Sequence, residues 1–370
     1  MFTRFKNFFS RHRNKFITGG ILVGGVVLFS KYAQKVKEWQ EKEAKEFLER
    51  ARKQQHYDSI EKTCNLTAMT LASTLKEVII KLIKSEELIQ KLQSGVKNRV
   101  EVWEELKILA FSKLVILLYA HAILTVTLRI QLNLIGGYMF RYTTDDSEEN
   151  KITSNMQEKY LGLCQFFIEE GIHKLCDVIK EKVKVVLEKK SLKEKLSLKD
   201  IEQIFWAVQT SISNDDRDPC KSLPDYVLPN DLRRILYVPD LSVFDNIIVE
   251  THDILESEEI IHLIKSCISH GFCYVTDKIS QYYKENDSLK QKTDFANPVP
   301  TTSSSLDANY VLNLNAVTIP MAKIIPLVNG FVQNQAKKDD VPHAWIQQLI
   351  LMDSLKVMGA NIYETFSSKK

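Results

Sequence analysis

The longest apolar stretch of the chain runs from Ile108 to Leu128, inside the segment Arg99 to Tyr138. Its only strongly polar side chains are those of Lys113 and His121. A helix that is apolar nearly all round lies either in a large protein core or in a membrane, and about 30 Å of helix is long enough for both. A lysine a third of the way along costs about 2.5 kcal/mol or more in a bilayer. We therefore expect a central core helix.

The first turns of this helix are amphipathic. At 100° per residue, one arc of about 120° is apolar and the remainder is charged. The arc contains Val102, Trp103, Leu106, Leu109 and Ala110, and the charged side contains Glu101, Glu104, Glu105 and Lys107. Trp103 lies at the edge of the arc, beside Lys107. It is either a boundary tryptophan packed on a neighbouring helix or an exposed anchor for a partner, since tryptophan is enriched at binding hot spots.

Helical periodicity continues through most of the chain, and no alternating pattern of strand length is present. The fold class that we predict is all-α, a single large elongated helical bundle preceded by a short N-terminal transmembrane helix. Helix-type patterns or start signals occupy Leu66 to Leu82, a short turn from Ser85, about Ser154 to Lys189, a helix starting at Ser197, Ser242 to Leu255, Ser257 to Tyr283, a first turn at Pro320, and Pro342 to Phe366. Flexible loops are predicted at about 141–153, 214–229 and 286–305, where polar residues or prolines accumulate.

The N-terminus carries the clearest membrane signal. Residues 1–15 contain five basic residues and no acidic one, and Phe16 to Ser30 contains no charge. Extended to Tyr32, the apolar run would form roughly 26 Å of helix, which is a short but sufficient span. We predict a basic targeting segment at 1–15, a transmembrane anchor at 16–32 and a cytosolic α-helical domain at 33–370. A cleaved signal or transit peptide and a buried helix are the alternatives, although Lys31 and Tyr32 do not suit a cleavage site.

The segment that follows the predicted anchor, Ala33 to Gln55, is rich in charge. It suits either a rigid stalk between membrane and domain or an ordinary surface helix.

Composition narrows the function classes. The chain is 44% hydrophobic and 26% charged, with nine prolines, as in an ordered globular protein. A net charge of +3, spread among interleaved acidic and basic residues, does not indicate a nucleic-acid partner. Six cysteines are scattered singly without a CxxC pair, which indicates reduced thiols and a cytosolic location for most of the chain.

The sequence contains no arrangement typical of an enzyme. No GxSxG, phosphate-binding loop or dinucleotide fingerprint is present. The best metal candidate is His262, Cys267, His270 and Cys273, but on one helix these residues would spread over about 140°, too wide for one ion without a break near Gly271. We therefore expect no enzymatic activity, cofactor, metal or small-molecule substrate.

Several separated motifs together resemble one family. These are RVEVWEELKI from Arg99, RIQLNLIGGY from Arg129, TIPMAKIIPLVNG from Thr318 and ANIYETFS from Ala360, together with the basic head and the paired glycines of the predicted anchor. In this order, over nearly the full length, they are similar to the peroxin-3 family of peroxisome biogenesis factors. The resemblance implies a single-pass receptor of the peroxisomal membrane, with the endoplasmic reticulum as a possible route to it. It also implies a cytosolic bundle that docks the N-terminal amphipathic helix of peroxin-19, the chaperone that delivers peroxisomal membrane proteins for insertion.

The resemblance also implies the partner-binding residues. Trp103 matches the family's tryptophan at the peroxin-19 groove, and Leu92, Arg99 and Leu106 occupy its other matching positions. Leu92, Trp103 and Leu106 would form an apolar floor and Arg99 a charged rim, although a lysine is expected at position 99 and a guanidinium hydrogen-bonds differently. Peroxisomal membrane lipids are the other implied partner.

Two other functions are alternatives: a structural tether that joins the peroxisome or endoplasmic reticulum to another organelle or to the cytoskeleton, and an anchored α-helical enzyme. A receptor needs one apolar groove with a charged rim, and a tether needs a broad patch elsewhere. An enzyme needs convergent titratable groups in a pocket.

Overall fold

The computed structural model describes the backbone of residues 2–143, 152–233, 242–294, 316–333 and 340–368. Side chains are described over the same ranges except at 2–34, 143, 233 and 286–294. The chain divides into two units, Met1–Asp58 and Ser59–Lys370.

The first unit consists of the N-terminal part of one long helix, α1 (Phe2–Leu82). Its described side chains, from Lys35 onward, are mostly exposed, with ion pairs one helical turn apart such as Lys37 with Glu41 at 4.0 Å. The backbone of the predicted targeting segment 1–15 and anchor 16–32 is helical from Phe2. Their side chains lie outside the described residues, so the anchor stays a prediction.

The second unit is built almost entirely of helices, which confirms the all-α prediction. After the rest of α1 they are α2 Ser85–Gln93, α3 Arg99–Thr143, α4 Ser154–Leu161, α5 Leu163–Phe166, a π-helical turn Phe167–Gly171, α6 Ile172–Leu187, α7 Leu198–Ser213, α8 Leu223–Val227, α9 Asn230–Arg233, α10 Val243–Glu256, α11 Glu258–Asp294, α12 Met321–Gly330, α13 Val341–Leu351 and α14 Asp353–Ser367. In the described part of the chain, strand structure is limited to β1 Lys195–Leu196 paired antiparallel with β2 Ile319–Pro320.

The helix α3 is the centre of this unit. Every residue from Ala110 to Gln131 is buried, and α2, α6, α10, α11, α12, α13 and α14 pack around it. Among the described residues α3 is also the one helix long and apolar enough to cross a membrane, yet 89% of its most apolar window is buried within the protein. The expectation of a core helix is confirmed, because neighbouring helices cover its apolar surface on all sides.

Two helices that the sequence pattern predicts as continuous are interrupted. The predicted helix from about Ser154 to Lys189 is divided at Gly162 and again by the π-helical turn. The turn ends at Gly171, where a Cβ atom would overlap the carbonyl oxygen of Tyr226. The predicted helix from Pro342 to Phe366 is two helices, separated at Met352, whose ψ of 126° is extended. Apolar periodicity survives both interruptions, so it could not reveal them.

Residues 214–229, for which the sequence predicts a flexible loop, pack against the bundle and include the helix α8. Most of its apolar residues are buried, and Tyr226 donates a hydrogen bond to the Arg217 carbonyl oxygen at 2.7 Å. The charged residues form ion pairs with the end of α6, including Arg217 with Glu181 at 2.8 Å and Lys182 with Asp215. Because these polar groups satisfy one another, the segment packs as part of the bundle.

The other two predicted loops are only partly described. The helix α3 extends to Thr143 and α11 to Asp294, so both helices enter the segments 141–153 and 286–305. Residues 144–151 and 295–315 lie outside the described residues.

Candidate partner-binding site

The four predicted site residues lie on two adjacent elements, α2 and the first two turns of α3. The connection between them turns at Gly95, whose φ of 85° is in the left-handed region that favours glycine. The helix α3 starts after Asn98, whose side-chain amide donates to the Glu101 carboxylate at 3.0 Å. A tight turn therefore places α2 beside the start of α3, and the two helices pack against each other.

The structure gives the predicted residues different exposures. Trp103 and Leu92 are half-buried and pack against the edge of the hydrophobic core. Arg99 is exposed, whereas Leu106 is buried within the core. Arg99, Trp103 and Leu106 follow one another at spacings of four and three residues, so they share one face of α3. Along this face the side chains change from the charged, exposed Arg99 through the half-buried Trp103 to the buried Leu106.

Charges of both signs surround this face. Lys91, Lys97, Glu101 and Glu105 are exposed, and Glu104, directly after Trp103, is half-buried. The surroundings of Trp103 are therefore polar and mixed in charge, as at the rim of a protein interface.

Lys107 does not lie on the solvated side where the helical pattern places it. Its side chain is fully buried, and its ammonium donates to Glu104 Oε2 at 2.5 Å and to the carbonyl oxygen of Lys190 at 2.6 Å. Lys190 is 83 residues further along the chain, just after α6. Burial of the ammonium is tolerated because a carboxylate and a carbonyl replace its water. This contact holds the first turns of α3 against the end of α6.

Lys113 is a second fully buried lysine, two turns beyond Leu106 on the same face of α3. Its ammonium donates to Ser85 Oγ at 2.9 Å and lies 3.8 Å from Glu86 Oε1. Burial lowers the pKa of Lys113 to about 8, and the Glu86 carboxylate partly opposes this shift. Lys113 thereby connects α3 to the first residue of α2.

Val100 is a further accessible residue in this region, beyond those predicted from the sequence. Its side chain is 68% exposed on the first turn of α3, beside Arg99. A helical wheel places it roughly opposite Val102, outside the apolar arc. An apolar side chain on the polar side of a helix was the available signal.

The metal-ligand candidates on α11 do not come together in the structure. The helix α11 continues without a break through Gly271, with His262, His270 and Cys273 exposed and Cys267 buried. The described residues hold no group of three or more histidine, cysteine or acidic side chains suited to a metal ion.

Two cavities lie away from the predicted site residues. An apolar cavity of about 540 Å³ lies between α10, α11 and α14, and a polar one of about 480 Å³ lies between α6 and α8. Neither cavity is lined by the four predicted residues.

Comparison with known proteins gives a consistent match over nearly the full length of the chain. The family model described as Peroxin-3 matches residues 7–99, 93–140 and 138–365. The chain is 32% identical to the peroxisomal biogenesis factor 3 proteins of Rattus norvegicus and Homo sapiens, over 98% of this chain and 97% of each relative. It is 21% identical to peroxisome biogenesis protein 3-2 of Arabidopsis thaliana, over 70% of this chain and 78% of that protein. The chain therefore belongs to the Peroxin-3 family, whose members are peroxisome biogenesis factors.

Proposed function

We propose that the chain is a membrane-anchored docking receptor of peroxisome biogenesis that binds the N-terminal amphipathic helix of peroxin-19. The observation that carries this proposal is the position of Trp103, half-buried at the margin of the core and surrounded by charged residues. A tryptophan so placed has one side fixed by the protein and the other open to a partner. Such partly exposed aromatic residues are the anchors that dominate binding energy in many interfaces.

The two helices supply what helix-in-groove recognition requires. An amphipathic helix needs an apolar strip for its apolar face and polar groups along the margins. Leu92 on α2 and Trp103 on α3 supply accessible apolar surface, while Leu106 supports Trp103 from the core. Arg99, on the same face of α3, supplies a positive charge at the margin. No catalytic role is proposed.

The proposed location is supported by the family match and by the hydropathy of residues 16–32 and of α3. Residues 16–32 are the proposed single-pass anchor in the peroxisomal membrane, with the bulk of the chain in the cytosol. All six cysteines are free and five of them are buried, as suits a reducing compartment. The apolar surface of α3 is already covered by protein, so it does not compete as an anchor.

Trp103→Ala tests the docking proposal directly. Removing a central aromatic anchor costs about 2 to 4 kcal/mol of binding, or roughly a 30- to 700-fold loss of affinity. We expect the full-length variant in detergent to lose affinity for a synthetic peroxin-19 N-terminal peptide by such a factor, measured by fluorescence anisotropy. Because the side chain is only half-buried, the melting temperature should fall less than for a core tryptophan, whose removal costs about 3 to 5 kcal/mol.

Trp206→Ala is the matched control, since Trp206 is an exposed tryptophan on α7 outside the proposed surface. We expect it to bind the peptide as the unaltered chain does. Unchanged peptide affinity in Trp103→Ala, together with a large fall in melting temperature, would show that Trp103 is a core residue and would refute the docking role.

A further inference from the structure

The helix α2 carries one wall of the candidate site, but it has few means of holding its position. It is nine residues long, and helices of that length are only marginally stable without tertiary contacts. Its N-cap residue, Lys84, makes no side-chain capping hydrogen bond. Its buried residues are Ser85 and Leu88, and Ile89 and Leu92 are half-buried against the core. The position of α2 therefore depends on a small number of contacts.

Among these contacts, the one between Lys113 and Ser85 is directional. Both residues are fully buried, and the ammonium of Lys113 donates to Ser85 Oγ at 2.9 Å. Apolar contacts such as that of Leu88 lose little when a short helix slides or rotates slightly. A hydrogen bond weakens steeply when its distance or angle changes, and an ammonium that loses its partner in the core is strongly unfavourable. The Lys113 contact therefore restricts the placement of α2 more tightly than its apolar contacts do.

We propose that Lys113 is a positioning residue of the docking surface: by binding Ser85 it fixes α2, and with it Leu92, relative to Trp103. This inference rests on the proposed function, because it assumes that α2 and the start of α3 form the partner's site. Lys113 is fully buried and does not meet the partner. It acts by keeping the two walls of the site at the separation that an incoming helix requires.

Substitutions at Lys113 and Ser85 should therefore change peptide affinity and the stability of the fold by different amounts. Replacing a buried polar pair by apolar residues of similar volume is often neutral or stabilising, whereas removing one partner alone is costly. Lys113→Met leaves the Ser85 hydroxyl buried, and Ser85→Ala leaves the ammonium with Glu86 as its nearest partner. The double variant removes both polar groups, so it regains stability but keeps no directional contact between α2 and α3 at this point.

The experiment measures melting temperature and peptide affinity on the same samples. The full-length chain in detergent is compared with Lys113→Met, Ser85→Ala and the double variant, using the synthetic peroxin-19 N-terminal peptide as probe. We expect both single variants to melt at lower temperature and the double variant to recover most of that loss. Peptide affinity should fall about 5- to 30-fold in the double variant, the range expected for one lost directional contact that pre-organises the site.

Ser112→Ala is the matched control. Ser112 precedes Lys113, is equally buried, and its hydroxyl has no hydrogen-bond partner among the described residues. Its removal should leave peptide affinity unchanged. A double variant that recovers both melting temperature and peptide affinity would show that Lys113 only stabilises the fold, and would overturn the positioning role.

Trp103→Ala, measured in the same series, separates this inference from the function on which it rests. If Trp103→Ala loses peptide affinity while the double variant keeps it, the docking proposal stands and only the positioning role of Lys113 is rejected. Full affinity in Trp103→Ala would reject the docking site and the positioning role together.

Discussion

At the residue scale, the buried polar side chains of α3 determine where the neighbouring helices lie. Arg129 is fully buried and donates to Glu61 at 2.7 Å, to Asn65 at 2.9 Å and to the carbonyl oxygen of Ile350 at 2.9 Å. It thereby joins α3 to the second-unit part of α1 and to α13. In the same way, Lys107 joins α3 to the end of α6, and Lys113 joins α3 to α2. Each such group is costly to bury, so each must have a specific partner, and that requirement limits how the helices can pack.

His121, also on α3, should make the fold sensitive to mild acid. Burial, together with the nearby Lys76 charge, lowers the pKa of His121 to about 4, although the adjacent Ala72 backbone partly opposes this shift. Between pH 6.5 and 4 the unfolded chain binds a proton that the folded chain does not, so stability falls as pH decreases. From pH 7 to pH 5 the expected loss is about 2 kcal/mol.

The measurement is chemical denaturation at pH 7 and pH 5 of the full-length chain and of His121→Gln. The variant should lose less stability over this interval, because its side chain does not titrate. Subtracting the two chains cancels the contributions of all other titrating groups. Equal losses in the two chains would mean that His121 is protonated in the folded protein at pH 5.

At the element scale, α14 packs closely against the end of the central helix α3. The end of α3 carries Gly137, where a Cβ atom would lie 2.9 Å from Phe366 Cβ and 3.1 Å from the Ser367 backbone nitrogen. Tyr138 stacks on the Phe366 ring, with 5.5 Å between ring centres, and donates to Glu250 of α10. A side chain at position 137 would therefore push α14 away from α3 and disturb the stacking of Phe366 on Tyr138.

Gly137→Ala should destabilise the fold, although alanine is the better helix former. Helix propensity favours alanine by about 1 kcal/mol, but overpacking a close contact costs about 1 to 3 kcal/mol. Because Phe366 Cβ and a backbone atom cannot move independently, we expect a net loss of about 1 kcal/mol. Gly330→Ala on α12 is the control, since the nearest atom to its new Cβ would be Gln333 Nε2 at 3.5 Å, an ordinary contact. Thermal melting of the two variants gives the comparison, and equal melting temperatures would contradict the packing argument.

At the scale of the whole molecule, membrane attachment and the helical bundle are assigned to different parts of the chain. The bundle in Ser59–Lys370 covers its own most apolar helix, α3. The proposed anchor, residues 16–32, needs no contribution from the bundle, because an apolar helix of this length, with its one lysine, Lys31, next to the end, can span a thin bilayer alone.

A chain beginning at Ala33 should therefore be soluble. We expect alkaline carbonate to release it from membranes of expressing cells, whereas the full-length chain should stay in the membrane pellet. Circular dichroism of the soluble chain should show a spectrum dominated by helix, which controls for misfolding. A helical shortened chain that resists carbonate extraction would place a membrane contact outside residues 1–32.

Features that depend on local pattern could be predicted from the amino-acid sequence alone. An apolar run interrupted only by Lys113 and His121 indicated the central helix, since no single solvent-facing side remained. The helix starts predicted at Ser197 and Ser242 agree with α7 and α10, and in the structure each start has a capping box, Ser197 with Asp200 and Ser242 with Asp245. The edge position of Trp103 was also available from the helical wheel, and the motifs around it pointed to the family.

Only the tertiary structure decided which polar groups are buried and where helices break. The burial of Lys107 depends on the carbonyl of Lys190, and the packing of residues 214–229 depends on ion pairs with α6, both distant in sequence. The extended backbone at Met352 interrupts an apolar pattern that continues on both sides. A helical pattern records which side of a helix is apolar, but it does not record which partner will meet a given polar group. That choice depends on contacts between segments far apart in the chain, and so it appears only when the helices are packed.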